Sequence, residues 1–408
     1  MIISQKKEDM LIINRRKFLQ VGSLASAAAL VPKFLKGFER YTLPAAERNL
    51  VVLQLSGGND GLNTVIPYRN DIYYSSRPVL GIPTGQVLPL DDELGLHPAL
   101  TGLKSFYDNG ELGVLNLVGY PNPDRSHFRS MDIWQSGSES DQLITTGWVG
   151  RYLDAQCPGC AKPTLALEMD DTLSLALKGQ NLTGIAVKDP QRLYATSNDP
   201  YFRVILKDHP VDDDHVNVDY LYKTMAETVS SADYLYRQSR IYKSNASYPD
   251  TEIGKNLKTI AELIISRTDT RVYYVSLGSF DTHVNQHPQQ QWLFTQLSDA
   301  LTVFTNDLKS NHCFDQTMVM TFSEFGRRVS QNASQGTDHG TANCMFLISG
   351  ALAKKGVLNE GPNLRDLDEG DLKYQVDFKQ VYATMLNRWL GADDAKILGK
   401  QYEYLHYI

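Results

Sequence analysis

Asn49-Leu50-Val51-Val52-Leu53-Gln54-Leu55-Ser56-Gly57-Gly58-Asn59-Asp60-Gly61 decides the fold class. An unbroken apolar, partly β-branched run that stops at two glycines reads as a strand buried on both faces. Working outward, similar runs recur at 113–118, 271–277, 317–322 and 345–348. Between them lie helical patterns at 98–108, 125–134, 219–243, 252–267, 289–308 and 377–390. Strands alternating with helices predict an α/β protein with a mostly parallel, doubly wound sheet. Asp, Pro and Tyr break the rhythm between about 160 and 250, where an inserted cap region is expected. One domain over 47–408 is therefore expected, with no internal repeat and no low-complexity linker.

The 408 residues are 42% hydrophobic and 21% charged, the composition of a globular chain. A net charge of −7, with no long basic run beyond the first forty residues, argues against nucleic-acid binding. Four cysteines are too few for a disulfide scaffold. Cys157-Pro158-Gly159-Cys160 has redox-motif spacing but follows a helix, so a disulfide is expected there before a redox activity. The dinucleotide fingerprint, the Walker loop and the Gly-x-Ser-x-Gly elbow are all missing from the sequence.

Residues 1–46 carry an export address. Asn14-Arg15-Arg16-Lys17-Phe18-Leu19 precedes the alanine-rich run 21–31, and this order resembles a twin-arginine translocation signal. A surface helix that begins with two arginines is the plain alternative. The apolar run is about eleven residues, short of the roughly twenty that span a bilayer. No stable membrane insertion is expected, and Ala25-Ser26-Ala27, Ala27-Ala28-Ala29 and Pro44-Ala45-Ala46 are candidate cleavage sites. The expected partner is the twin-arginine export machinery, and the expected location periplasmic or extracellular. That route carries folded proteins, often with a cofactor already in place, which points towards a metal.

In an open parallel sheet, ligands sit beyond the carboxyl ends of the strands. Those exits hold Asp60, Asp281, Glu324 and Asp338, with His127, His283, His287 and His339, four of the nine histidines. Carboxylates and imidazoles together ligate zinc, manganese, magnesium or calcium, as one ion or two. Two ions about 4 Å apart clamp the attacking and leaving oxygens of a phosphoryl or sulfuryl transfer. Each residue also has a plainer role: Asp60 and Asp281 as helix caps, Asp338 in a turn, His287 in an exposed loop. Ser126, between Arg125 and His127 at a helix start, is either an N-cap or an activated nucleophile. Arg327 and Arg328 are either solvated or grip an oxyanion bidentately.

Several segments together resemble the domain of unknown function 1501 family. They are the twin-arginine start, Gly57-Gly58-Asn59-Asp60-Gly61, Leu96-His97-Pro98, Arg125-Ser126-His127-Phe128, Gly147-Trp148-Val149-Gly150-Arg151, Phe280-Asp281-Thr282-His283, Ser323-Glu324-Phe325-Gly326-Arg327 and Gly336-Thr337-Asp338-His339-Gly340. Members are exported bacterial proteins placed in the alkaline phosphatase-like superfamily, with sulfatases. The resemblance implies an α/β/α sandwich with a two-metal site. It implies Asp60 as first-strand ligand, Ser126 as nucleophile, Asp281 with His283 or His287, Glu324, and Asp338 with His339. The superfamily's Asp-x-x-x-His and its Asp-His after a strand are replaced here by Asp281-Thr282-His283 and Ser323-Glu324, and Asp-His comes only at 338–339.

The function expected is an exported metal-dependent hydrolase of phosphate, sulfate or related esters, acting on a small anionic substrate. Ser126, His127 and Arg327 are the expected catalytic residues. The rival expectation is a catalytically silent binding or assembly protein that keeps the same fold.

Overall fold

The computed structural model describes residues 47–156, 162–200 and 216–408, with side chains left out for 216–226. The twin-arginine segment and the Cys157–Cys160 pair lie outside the described residues. No described helix is long and apolar enough to cross a membrane.

Strand β1 (Asn49–Leu55) lies at the centre of a nine-stranded sheet. Its neighbours β5 (Val272–Leu277) and β6 (Thr317–Phe322) both run parallel to it, with Val52 level with Tyr274 and Met320. β2 (Leu112–Gly119) and β7 (Asn343–Ile348) continue beyond β6. β7 runs antiparallel to both β6 and β2, so β2 points the same way as β1. On the other edge, the short parallel strands β3 (Ala166–Glu168) and β4 (Ile185–Ala186) follow β5.

Alternation along β1 sorts its side chains between two cores. Val51, Leu53 and Leu55 face a layer containing Leu257, Ile260, Leu297, Leu301 and Phe304. These come from helices α4 (Glu252–Ile265) and α5 (Gln286–Ser310). Leu50 and Val52 face Ile133, Trp134, Trp148, Tyr382 and Met385. Those belong to α2 (His127–Ser136), α3 (Trp148–Gln156), α6 (Phe378–Thr384) and the π-helical turn that continues α6. The result is the α/β/α sandwich with a mostly parallel sheet that the alternating pattern predicts.

Helix starts follow their sequence signals. Thr251 accepts the Gly254 N–H ahead of α4, and Asp377 with Gln380 completes a capping box on α6. α2 stops at Gly137, whose φ of +67° suits glycine.

His97 is buried edge-on against Phe294 of α5, and its Nδ1 accepts the Ala99 N–H at 3.1 Å. That bond requires a neutral ring, and burial lowers the His97 pKa from 6.5 to about 4. Between these two values the unfolded chain binds a proton that the folded chain refuses. Stability therefore falls as pH drops from 6.5 towards 4, by on the order of 3 kcal/mol for this residue. Urea unfolding of His97→Asn, which can still accept the Ala99 N–H, is expected to lose most of that pH dependence. An unchanged slope across the window would contradict the assignment.

Candidate metal centre

Because β1, β2, β5 and β6 point the same way, the segments after them emerge at one edge. Glycines let these segments pack closely. A Cβ on Gly57 (φ +118°) would lie 2.5 Å from the Asp281 nitrogen, and one on Gly58 (φ +74°) 2.2 Å from the Phe325 ring. The Gly57 N–H donates to Glu324 Oε1 at 2.8 Å, and the Asn59 N–H to Ser323 Oγ at 2.9 Å. The Thr337 N–H donates to the Thr282 carbonyl, linking the 337–339 loop to the segment after β5.

Arg327 sits inside this junction with no exposed side-chain surface. Nε donates to the Gly58 carbonyl (2.6 Å) and Nη1 to that of Thr337 (2.7 Å). Nη2 reaches the carbonyls of Gly57 (2.6 Å) and Phe280 (3.0 Å) and Asp281 Oδ1 (2.7 Å). All three guanidinium nitrogens are engaged by the protein itself. Arg327 is thus an internal clamp, and this geometry does not present it to a bound oxyanion.

Asp281 Oδ1 is the point on which three imidazoles converge. His283 Nε2 lies 3.1 Å from it, His339 Nε2 3.2 Å and His127 Nε2 3.6 Å. His127, Asp281 and His339 each offer a ligand atom within 4.8 Å of the others, and His283 Nε2 lies 3.0 Å from His339 Nε2. The opposite side of each ring is tethered. His339 Nδ1 donates to the Arg125 carbonyl at 2.8 Å, His127 Nδ1 to Glu324 Oε1 at 2.9 Å, and His283 Nδ1 to Asp338 Oδ1 at 3.3 Å. A carbonyl oxygen can only accept, which fixes the His339 tautomer; the two carboxylates favour the same form. All three rings then turn a bare Nε2 lone pair inwards, as metal-bound histidines do when an outer partner holds the other nitrogen. Lone pairs and a carboxylate oxygen this close repel one another unless a cation or shared proton sits among them. The donor set, imidazole nitrogen with carboxylate oxygen, fits a divalent ion.

Burial alone would raise the Asp281 pKa, but the hydrogen bond from Arg327 and its charge bring it down to about 2. The Glu324 hydrogen bond raises the pKa of His127, while burial lowers that of His339. Asn332 and His283 lower that of Asp338 by hydrogen bonding to its carboxylate. The Phe325 ring supports the cluster from one side, 4.9 Å from the His127 ring and 4.5 Å from that of His339.

The remaining sequence-predicted residues fall around this centre in different ways. Glu324 and Asp338 are placed as tethers of imidazoles. Asp60 is fully buried with Oδ2 held by Arg77 Nη1 (2.6 Å) and Gln286 Nε2 (2.5 Å); its Oδ1 has no hydrogen-bond partner among the described residues. His287 donates Nε2–H to the Val79 carbonyl and stays outside the cluster. Ser126 is the exposed N-cap residue of α2, yet its side chain makes no capping bond. Sequence reasoning missed Phe325 and the Arg125 carbonyl as supports. An aromatic or a main-chain oxygen leaves no signature of that role in one sequence.

Residues 119–401 match the family described as "Protein of unknown function (DUF1501)". The chain belongs to this family. No match to the chain is found among curated proteins. Among solved structures, this chain resembles the PsFucS1 sulfatase from Pseudoalteromonas sp. at TM-score 0.40 and 10% identity, over 94% of this chain and 73% of that one. It also resembles a protein in the alkaline phosphatase superfamily from Vibrio parahaemolyticus, at TM-score 0.36 and 12% identity over 89% and 74% of the chains. The phosphonate monoester hydrolase SpPMH from Silicibacter pomeroyi gives TM-score 0.37 and 9% identity over 87% and 78%.

The clamp assignment makes a stability prediction. Lysine keeps the charge but concentrates its donors at one point, so Arg327→Lys leaves buried carbonyls and Asp281 unpaired. It is expected to lose about 3–5 kcal/mol in denaturant unfolding. A loss below about 0.5 kcal/mol, typical of surface changes, would contradict the assignment.

Proposed function

We propose that this chain is an exported metal-dependent hydrolase of phosphate, sulfate or related esters. The carrying observation is the convergence of three Nδ1-tethered imidazoles on Asp281. His127, His283, His339 and Asp281 would hold one divalent ion. One ion is proposed, at the four residues that converge; Asp60 instead pairs through Oδ2 with Arg77 and Gln286. A bound ion supplies Lewis acidity and lowers the pKa of an oxygen nucleophile.

The chain's own residues do the rest. Arg327 fixes the carboxylate of Asp281, and Glu324, Asp338 and the Arg125 carbonyl orient the imidazoles. Ser126 presents an uncommitted hydroxyl next to His127, where the first turn of α2 turns its N–H groups towards an incoming anion. It is the nucleophile in this proposal. The half-exposed Asp281 leaves the centre open to a bulky ester. Export by the twin-arginine route, to the periplasm or beyond, rests on the order of basic pair and apolar run within residues 14–31.

Elemental analysis of protein purified without chelators or nickel columns tests the proposal. About one equivalent of a divalent metal is expected. Asp281→Asn should cut both metal affinity and ester hydrolysis by at least about a hundredfold, the upper end of what outer-shell changes produce. Metal content and turnover unchanged in Asp281→Asn would overturn it.

A further inference from the structure

Four arginines stand around the metal centre, and their hydrogen bonds divide them into two kinds. Arg327 spends every guanidinium nitrogen on the protein. So does Arg77, through the Val329 carbonyl, Asp60 with Asn63, and the Arg328 carbonyl. Arg125 and Arg328 do not. Arg125 uses Nη2 alone, on Asp371 Oδ2, and the Arg328 guanidinium makes no hydrogen bond among the described residues. Arg328 pairs only at longer range, Nε lying 3.8 Å from Asp371 Oδ1.

Asp371 has no exposed side-chain surface, whereas the two arginine side chains are 37% and 38% exposed. One buried carboxylate, in a hairpin that also carries Asp368 and Glu369, therefore holds two solvent-facing guanidiniums side by side. Both arginines are anchored beside His339. The Arg125 carbonyl holds His339 Nδ1, and the Arg328 N–H donates to the carbonyl of Asp338, the preceding residue. Neither guanidinium contacts the carboxylate or imidazole groups of the centre itself among the described residues.

We propose that Arg125 and Arg328, positioned by Asp371, form an oxoanion subsite that grips a second anionic group of the substrate. This rests on the hydrolase reading for what happens to the neighbouring ester. It narrows the substrate class to esters that carry a further sulfate, phosphate or carboxylate. Forked guanidiniums suit that chemistry because they offer paired N–H donors to two oxygens at once.

The test uses the full chain, with its metal and after chelation. Phenylglyoxal footprinting by mass spectrometry should label Arg125 and Arg328 and spare Arg77 and Arg327. Inorganic sulfate or phosphate should protect the labelled pair in both metal states. Calorimetric titration of the same anions into chelated protein should show about tenfold weaker binding in Arg328→Gln and Arg125→Gln, the loss of one charge-assisted contact. Arg328 makes no hydrogen bond that its loss would break, so Arg328→Gln should fold normally. With esters, Arg328→Gln should raise KM for a doubly charged substrate and leave KM unchanged for a singly charged one. Protection or binding that needs the metal and ignores both substitutions would overturn the subsite while leaving the metal reading intact. Arginine-dependent anion binding in a protein that takes up no metal would support the subsite and defeat the hydrolase reading.

Discussion

The guanidinium of Arg327 carries a permanent positive charge at a place with no access to water, so the fold has to surround it with oxygen. It does so with carbonyls from the segments after β1 and β5 and from the 337–339 loop, and with the carboxylate of Asp281. Those segments are remote in sequence, and this one side chain ties them together. Gly57 and Gly58 follow from the same constraint, since any larger residue would push the segments apart. A parallel sheet only brings strand exits to a common edge; the buried cation brings them into contact.

From that junction the centre is assembled in two rings. Asp281 and the three Nε2 atoms form the inner ring. Glu324, Asp338 and the Arg125 carbonyl form the outer one, each fixing the face of an imidazole. Beyond lie Arg125 and Arg328, which keep donors to spare because Asp371 satisfies them only in part. Outward from the Asp281 carboxylate come the imidazoles, then their carboxylate or carbonyl tethers, and then the guanidiniums. In the proposed reading, an anionic ester is attracted both at this rim and by an ion held in the inner ring.

Much of this was legible in the sequence. Long buried strands announce themselves as apolar runs, and 49–55 and 317–322 coincide with their predicted limits. The reversed direction of β7 was not legible, because an apolar run buried on both faces looks the same in either direction. Nor were β3 and β4, three and two residues long, too short to show a period. At the centre, residue types pointed to a metal, and His127, Asp281, His283 and His339 do meet. What composition could not separate was ligand from tether, since Glu324 and Asp338 carry the same carboxylate as Asp281. Arg327 invited an anion-binding role for the same reason: its charge is written in the sequence, whereas the acceptors that consume it appear only on folding. Asp371, in an ordinary acidic turn, gave no signal at all.

The most direct test of the account is anomalous diffraction at the zinc edge from crystals of the full chain grown with zinc. The account predicts one strong peak bounded by Asp281 Oδ1 and the Nε2 atoms of His127, His283 and His339, with Glu324 and Asp338 outside its ligand shell. A peak at Asp60 instead, or none among those four atoms, would contradict it.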